Sequence, residues 1–589
     1  VTTLLILGTW LIWVTAVAGI GAGIMTWRRP HTAARETWHA GLWIGLGIVV
    51  VGASALQLLV GLGGSFGLLV ATVVLIGGLG VGAWVAIRHW RLTRDRRVAV
   101  LAWKRLPTLL LLVLFGVGLI GMAYLATGEP MDADAGSYRI GAVLYAGEER
   151  VVPGLANIHF RFGFNSTLWP FAALVGTGLW EGLGYRVVTG VFVTAMLADV
   201  AIRLAIPRSV TTKPGDWFMV IATAFTGGII LTDAGRWIPS PGQDLAFLIV
   251  AVAAMALLAD YVNSPASARW SGPLAVIVAA TAASIRPLGW VLALATWFVV
   301  LLYASTASSR TWKSRWQLLR VSTLFFTVTA AVMGVRDLLL TGWILYPITA
   351  VPAPVPWLAA SGEGASQGIT AYGRAPGVDA NVVLASNDWL VPWISGFLAS
   401  REVFFLRFMV IGALLPLLWP RGRRAWHQVT RPLLWAISPP LLLTLTWFAT
   451  APDVRFGWAG LVGVAALPGA FLLATGAYPV MSAKVLAVVG LVLMMVTQVL
   501  NGRFMPRGGE AVPTEVSVAV WSGTVLLAPP PTPKAVQGEL ADGTPVQYPA
   551  TGGNCYDIFP LCLIPGTGQD VRSLGDELVD GFGRVSSAR

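Results

Sequence analysis

The residues best placed to do chemistry are acids and arginines that fall between apolar runs. Asp132-Ala133-Asp134 precedes Tyr138 and Arg139. Two carboxylates at i and i+2 can offer one as a general base to a hydroxyl and the other for orientation or for a metal, because a base must reach its proton within about 3 Å. Arg286, Arg336 and Arg455 each lie close to a carboxylate or a proline-marked break. Guanidinium groups gathered from separate segments bind phosphate oxygens through paired donors and keep their charge. The alternative is that Arg336 with Asp337, and Arg455 with Asp453, simply neutralise one another. His159 and Arg161 belong to a glycine- and aromatic-rich run, Gly154 to Ser166, too broken to cross a bilayer and suited to lie along its interface. His159 could serve acid/base chemistry or be a hydrogen-bonded structural residue.

The elements that must position these groups follow from composition. Of 589 residues, 56% are hydrophobic and 12% charged, against roughly 25% charged in an ordinary soluble domain. A soluble fold is excluded. The expectation is a polytopic all-α membrane protein, since about 20 apolar residues make one span. The net charge of +12 sits between the apolar runs, where it reports topology and not a nucleic-acid partner. There is no His/Cys spacing for zinc, no Gly-x-x-x-x-Gly-Lys loop and no Gly-x-Ser-x-Gly elbow. Soluble nucleotide chemistry is not expected.

Placing basic clusters inside gives one path of about 13–14 spans. Spans near 3–25, 41–60, 66–87 and 107–127 put Arg28 and the dense basic stretch from Arg88 to Arg105 in the cytoplasm, and the loop 128–186 outside. The first reads as a span and not a cleaved signal, because Arg28 and Arg29 follow the apolar run and no Ala-x-Ala-like site does. Spans near 187–204, 217–232, 245–261, 273–284, 288–304 and 321–341 then lead to a second outer loop, 342–402. Spans near 403–420, 433–450, 457–475 and 484–500 leave a polar tail outside. Cys555 and Cys562, the only cysteines, lie in that tail, where an oxidising compartment would make them a disulfide. On this path Asp132, Asp134, Arg139, His159, Arg161, Asp233, Arg236, Asp244, Arg286, Arg336, Asp337, Asp453 and Arg455 all fall at outer ends. Charges at membrane depth are costly and are usually paired or functional.

The segments Asp132 to Tyr138, Gly154 to Ser166, Arg336 with Tyr346-Pro347, Ala451 to Phe456 and Cys555 to Cys562 resemble a bacterial family of polytopic membrane proteins, over residues of about 125 to 565. That family in turn is similar to the GT-C superfamily of membrane glycosyltransferases, which take sugar from a polyprenyl-phosphate carrier and use an aspartate of the first outer loop as base. The resemblance implies that Asp132 or Asp134 is that base. Arg139 stands where the family commonly has a histidine after its tyrosine, and the three spans before residue 106 precede the usual GT-C core.

The expected organisation is therefore an N-terminal three-span extension (1–105), a GT-C-like core (106–500) and an extracytoplasmic tail (501–589) in a bacterial plasma membrane. The expected function is transfer of a sugar from a polyprenyl-phosphate donor to a glycan, lipid or protein acceptor. Tyr138, Arg139, His159, Arg161, Arg236, Asp244, Arg286, Arg336, Asp453 and Arg455 would bind substrate or phosphate. A divalent cation at Asp132 and Asp134 stays open. So do two other functions, a transporter or flippase for a lipid-linked or anionic substrate, and a non-catalytic envelope-assembly scaffold.

Overall fold

The computed structural model describes residues 1–28, 34–93, 106–205, 213–232, 237–264, 270–306, 312–360, 363–476, 512–518, 521–564 and 567–585. Its long helices are α1 (Thr2–Arg28), α2 (Ala34–Leu56), α3 (Gly64–Thr93), α4 (Leu106–Leu125), α8 (Gly184–Ala205), α9 (Pro214–Thr232) and α10 (Gln243–Asn263). The series continues with α11 (Ser271–Ile285), α12 (Gly289–Thr306), α13 (Trp312–Thr341), α17 (Arg401–Leu414), α18 (Pro420–Thr450) and α19 (Val454–Ala474). Among the described residues, eight helices (α1, α2, α3, α8, α10, α13, α18, α19) are long and apolar enough to cross a membrane. This is a mostly helical protein with the composition and helix lengths of a multi-pass membrane protein.

Most of the expected spans come out as longer helices, α17 being the clear exception, and proline sets two of the breaks. Pro287 forces Arg286 into an extended conformation between α11 and α12, and Pro416 opens a 3₁₀ turn, Leu415–Leu418, that ends α17. The expected segment 484–500 lies outside the described residues. Two supposed basic loops are instead the first turns of helices: Arg421, Arg423, Arg424 and Arg431 ride on α18, and Lys313, Arg315 and Arg320 on α13.

Close helix packing is built on small residues. A Cβ on Gly21 would lie 1.9 Å from the Gly41 carbonyl oxygen, and one on Gly45 would lie 1.8 Å from that of Val17, so α1 and α2 touch backbone to backbone as membrane helices with small faces do. The first three helices also join the rest of the bundle. Trp10 Nε1 donates to the Val187 carbonyl at 2.8 Å. At the centre stands α10, its apolar stretch from Leu245 to Ala259 buried throughout.

Between α4 and α8 the chain makes a π-helical turn, Ala135–Arg139, then α5 (Ile140–Glu148), α6 (Leu155–Ile158) and α7 (Leu168–Val175). The run expected to lie along the interface is instead inside the protein: Asn157, His159, Asn165 and Ser166 are buried. Its polar groups are satisfied by neighbours, such as Ser166 Oγ donating to the Ile285 carbonyl at 2.7 Å, and that is what lets the segment leave water. After α13 comes the hairpin β1 (Trp343–Leu345) with β2 (Ile348–Pro352), then the short helices α14 (Glu363–Arg374), α15 (Ala380–Ala385) and α16 (Leu390–Ala399).

The described part of the tail is built mainly of strands. It folds as three antiparallel hairpins, β3 (Val512–Val518) with β4 (Trp521–Leu527), β5 (Ala535–Glu539) with β6 (Pro545–Pro549), and β7 (Val571–Ser573) with β8 (Phe582–Arg584). Cys555 and Cys562 form a disulfide. The tail packs on the bundle end that carries the start of α1 and the finish of α4. Leu526 N donates to Thr2 Oγ1 at 3.0 Å, and Ala528 N to the Thr127 carbonyl at 2.8 Å.

At the opposite end, the last turn of α8 presents Arg203 to Asp199 (2.9 Å), to Asp216 of α9 (3.0 Å) and to Asp260 of α10 (3.6 Å). Nδ1 of His39, from α2, lies 3.3 Å from the same guanidinium.

Candidate functional site

The site lies at the end of the bundle covered by the tail, where four helix termini and the π turn converge. Arg139, in the last position of the turn, is fully buried and grips three carboxylates. It pairs with Asp132 at very short range, with Asp134 at 3.0 Å and with Asp244, in the first turn of α10, at 3.3 Å. Asp244 in turn is closely paired with Arg286. Its position favours a negative charge twice over, because the unpaired N–H groups of a helix start carry partial positive charge.

Asp134 is the shared ligand of the cluster. Besides Arg139, it accepts from Arg161 at 2.6 Å and lies 3.2 Å from Arg455. Burial works to raise its pKa, but Arg139, Arg455, Arg161 and Arg286 together outweigh that and hold the carboxyl below its ordinary value. Asp453 caps α19, accepting from the Arg455 N–H at 3.0 Å, and also faces the Arg455 side chain at 3.4 Å. Phe456, the next residue, stacks beneath both Arg286 (4.1 Å from guanidinium carbon to ring centre) and Arg455 (4.8 Å), a contact that orients cations without consuming their hydrogen bonds.

An aromatic wall closes one side. Tyr138 stacks on His159 (6.4 Å between centroids) and meets Trp169 edge-on. The Tyr138 hydroxyl accepts from Arg139 Nε and from Gln243 Nε2, both at 3.3 Å. His159 Nδ1 accepts the Arg161 N–H at 3.1 Å, which puts any proton of the neutral ring on Nε2. Burial, reinforced by the charge of Arg161, lowers its pKa to about 4. One ring nitrogen is thus already engaged within its own loop.

Exposure grades the cluster. Asp132, Arg139 and Asp244 are shut in at 4%, 1% and 0%, whereas Asp134 (13%), Arg455 (20%), Asp453 (21%) and Arg161 (36%) line the open side. The arrangement is a balanced set of four arginines and four aspartates with a buried floor and a reachable rim. An incoming anion can draw Arg161 and Arg455 away from Asp134, and that carboxylate would regain basicity as they leave.

The structure thus brings together Asp132, Asp134, Tyr138, Arg139, His159, Arg161, Asp244, Arg286, Asp453 and Arg455. It does not add Arg336. That side chain is buried on α13 and held by Asn165 Oδ1 at 2.9 Å and by Gln57, the residue after α2, neutral partners that leave it facing the core. Arg236 and Asp233 lie outside the described residues. A divalent cation does not fit between Asp132 and Asp134 as they stand, because the Arg139 guanidinium already fills that position. Sequence reading missed Gln243 and Phe456 as site members, although both neighbour residues it singled out. It also missed Gly136 and its partner in the tail.

No curated protein and no solved structure matches the chain. Residues 4–462 match the model of the family described as "Domain of unknown function (DUF8201)", a stretch that holds every member of the arginine–aspartate cluster, and the chain belongs to that family.

Proposed function

We propose that this protein is a membrane glycosyltransferase that moves a sugar from a polyprenyl-phosphate carrier to a glycan, lipid or protein acceptor on the extracytoplasmic face. The observation that carries the reading is Asp134, a partly open carboxylate gripped by three arginines from three separate segments, Arg139, Arg161 and Arg455. A phosphate leaving group needs such cations, and an acceptor hydroxyl needs such a base. In the proposed step Asp134 takes the acceptor proton, the acceptor oxygen attacks the anomeric carbon, and the bond from that carbon to the phosphate oxygen breaks with inversion. The electron pair leaves on the polyprenyl phosphate, whose charge Arg161, Arg455 and Arg286 stabilise from fixed positions. Asp132, shut in and bound to Arg139, positions that arginine and is not the base.

The likeness to GT-C enzymes supports the same reading. So does α10, which carries no ionisable side chain between Asp244 and Asp260, where a transporter would need a substrate site near mid-membrane. The test is transfer from labelled polyprenyl-phosphate sugars in membranes carrying Asp132→Asn or Asp134→Asn. Loss with Asp134→Asn supports the assignment, and full transfer by both variants removes it.

A further inference from the structure

The tail lies beyond the residues that match the family model, yet it touches the site loop repeatedly. Phe582 N donates to the Pro153 carbonyl at 2.9 Å, Asn157 Nδ2 donates to the Phe582 carbonyl at 2.9 Å, and Arg186 bridges the carbonyls of Gly128 and Ala528. The most intimate contact comes from the eight-residue loop closed by the disulfide, Cys555 to Cys562. Within it, Tyr556 N donates to the Gly136 carbonyl at 2.8 Å, while its ring lies flat against the Gly136 α-carbon. A Cβ added there would fall 2.6–2.9 Å from three ring atoms. Gly136 is the second residue of the π turn Ala135–Arg139, which Asp134 immediately precedes.

Two further observations say that this contact is imposed. Tyr556 is the only non-glycine residue, among those described, with φ in the left-handed region (+49°), a conformation that L residues avoid and that persists only where the surroundings over-determine it. The other end of the same disulfide loop is fastened to α5, directly after the π turn. Tyr145 donates its hydroxyl to the Pro560 carbonyl and meets Phe559 edge-on at 5.1 Å between centroids. The loop therefore grips the site segment on both sides of Arg139. Burial, with the nearby carboxylates of Glu129 and Asp132, raises the Tyr556 phenol above its ordinary pKa, in keeping with a neutral ring facing the acidic side of the turn.

We infer that Tyr556 is a positioning residue, held by the Cys555–Cys562 loop, that fixes the π turn carrying Asp134 and Arg139. The clamp stands on its own geometry, and its importance for transfer rests on the function proposed above. A competent site then requires an oxidised tail, which ties assembly of the arginine cluster to an oxidising compartment.

The test uses the full chain in lipid nanodiscs, with hydrogen exchange read on peptides covering residues 132–148 and on α10, alongside binding of a polyprenyl phosphate. In Tyr556→Ala and in the Cys555→Ser/Cys562→Ser pair, exchange at 134–140 rises by about tenfold or more while α10 is unchanged, the signature of local and not global opening. Tyr556→Phe, which keeps ring and backbone, restores wild-type exchange and affinity. Unchanged exchange at 134–140 in Tyr556→Ala overturns the clamp, as does a Phe variant that behaves like Ala. Should the variants fail to accumulate, a phosphine reductant applied to the folded wild type reads the same peptides, and an unaltered pattern after full reduction overturns it equally. Raised exchange with no polyprenyl phosphate binding by the wild type would keep the clamp and sink the proposed reaction.

Discussion

Two buried knots of charge sit at opposite ends of the bundle, and they share a plan. In each, one fully buried arginine holds three aspartates: Arg139 takes Asp132, Asp134 and Asp244, and Arg203 takes Asp199, Asp216 and Asp260. They differ in what surrounds the plan. The Arg203 knot adds His39, and its side chains are 0–7% exposed. Around Arg139 stand three more arginines, two of them partly exposed, Arg161 more than Arg455. Identical pairing chemistry thus serves as a closed fastening in one place and as a charge-balanced cluster with an accessible rim in the other. A buried ion network is by itself weak evidence of function, and the exposed rim is what separates the two.

Substitutions at matched positions can break this comparison. The largest effect expected is on chemistry: Asp134→Asn lowers sugar transfer by about 10²–10⁴-fold, the usual worth of a positioned base, while Asp260→Asn leaves transfer intact per folded molecule. Loss of transfer in a stable Asp260→Asn protein would dissolve the distinction. Next comes stability. Arg203→Met strands buried carboxylates and should cost about 3–5 kcal/mol, seen as a large fall in Tm in detergent. An unchanged Tm would mean that the knot is not a fastening.

Smaller effects sharpen the contrast. Arg161→Gln and Arg455→Gln each remove a charged hydrogen-bond donor worth about 1.5–3 kcal/mol, so the Kd for polyprenyl phosphate should rise by about one to two orders of magnitude with Tm nearly constant. Equal affinity in both variants would clear the rim of any anion-binding role. The smallest effect is a pH dependence. His159 has its folded pKa lowered from 6.5 to about 4, so the unfolded chain binds its proton first. The stability it contributes is fully present above about pH 6.5 and is lost as pH falls toward 4. Tm measured across that window should decline more steeply in the wild type than in His159→Gln, and parallel curves would contradict the burial argument.

Much of this was legible in the sequence because it depended on topology alone. Counting apolar runs and basic clusters assigns Asp132, Arg161, Asp244, Arg286 and Arg455 to one end of the bundle whatever their separation along the chain. Arg336 shows the limit of that reasoning, since knowing the end of a helix does not give the direction in which a side chain points, and it points to Gln57 and Asn165. The Arg203 knot was missed because Asp199, Asp216 and Asp260 sit at the edges of apolar runs, where they look like headgroup-zone punctuation. The tail strands are three to seven residues long, too short for alternation to register, and the fit of Tyr556 on Gly136 spans more than 400 positions.

One helix belongs to both knots. Asp244 and Asp260 stand at the two ends of α10, about 24 Å apart at 1.5 Å per residue, so α10 is a strut bolted at each end to a different set of neighbours. A strut of that kind resists tilting, because leaning at either end would pull a buried carboxylate away from its counterions. Under the proposed reaction, movement would fall to what hangs from this frame, the rim arginines and the short segments above them.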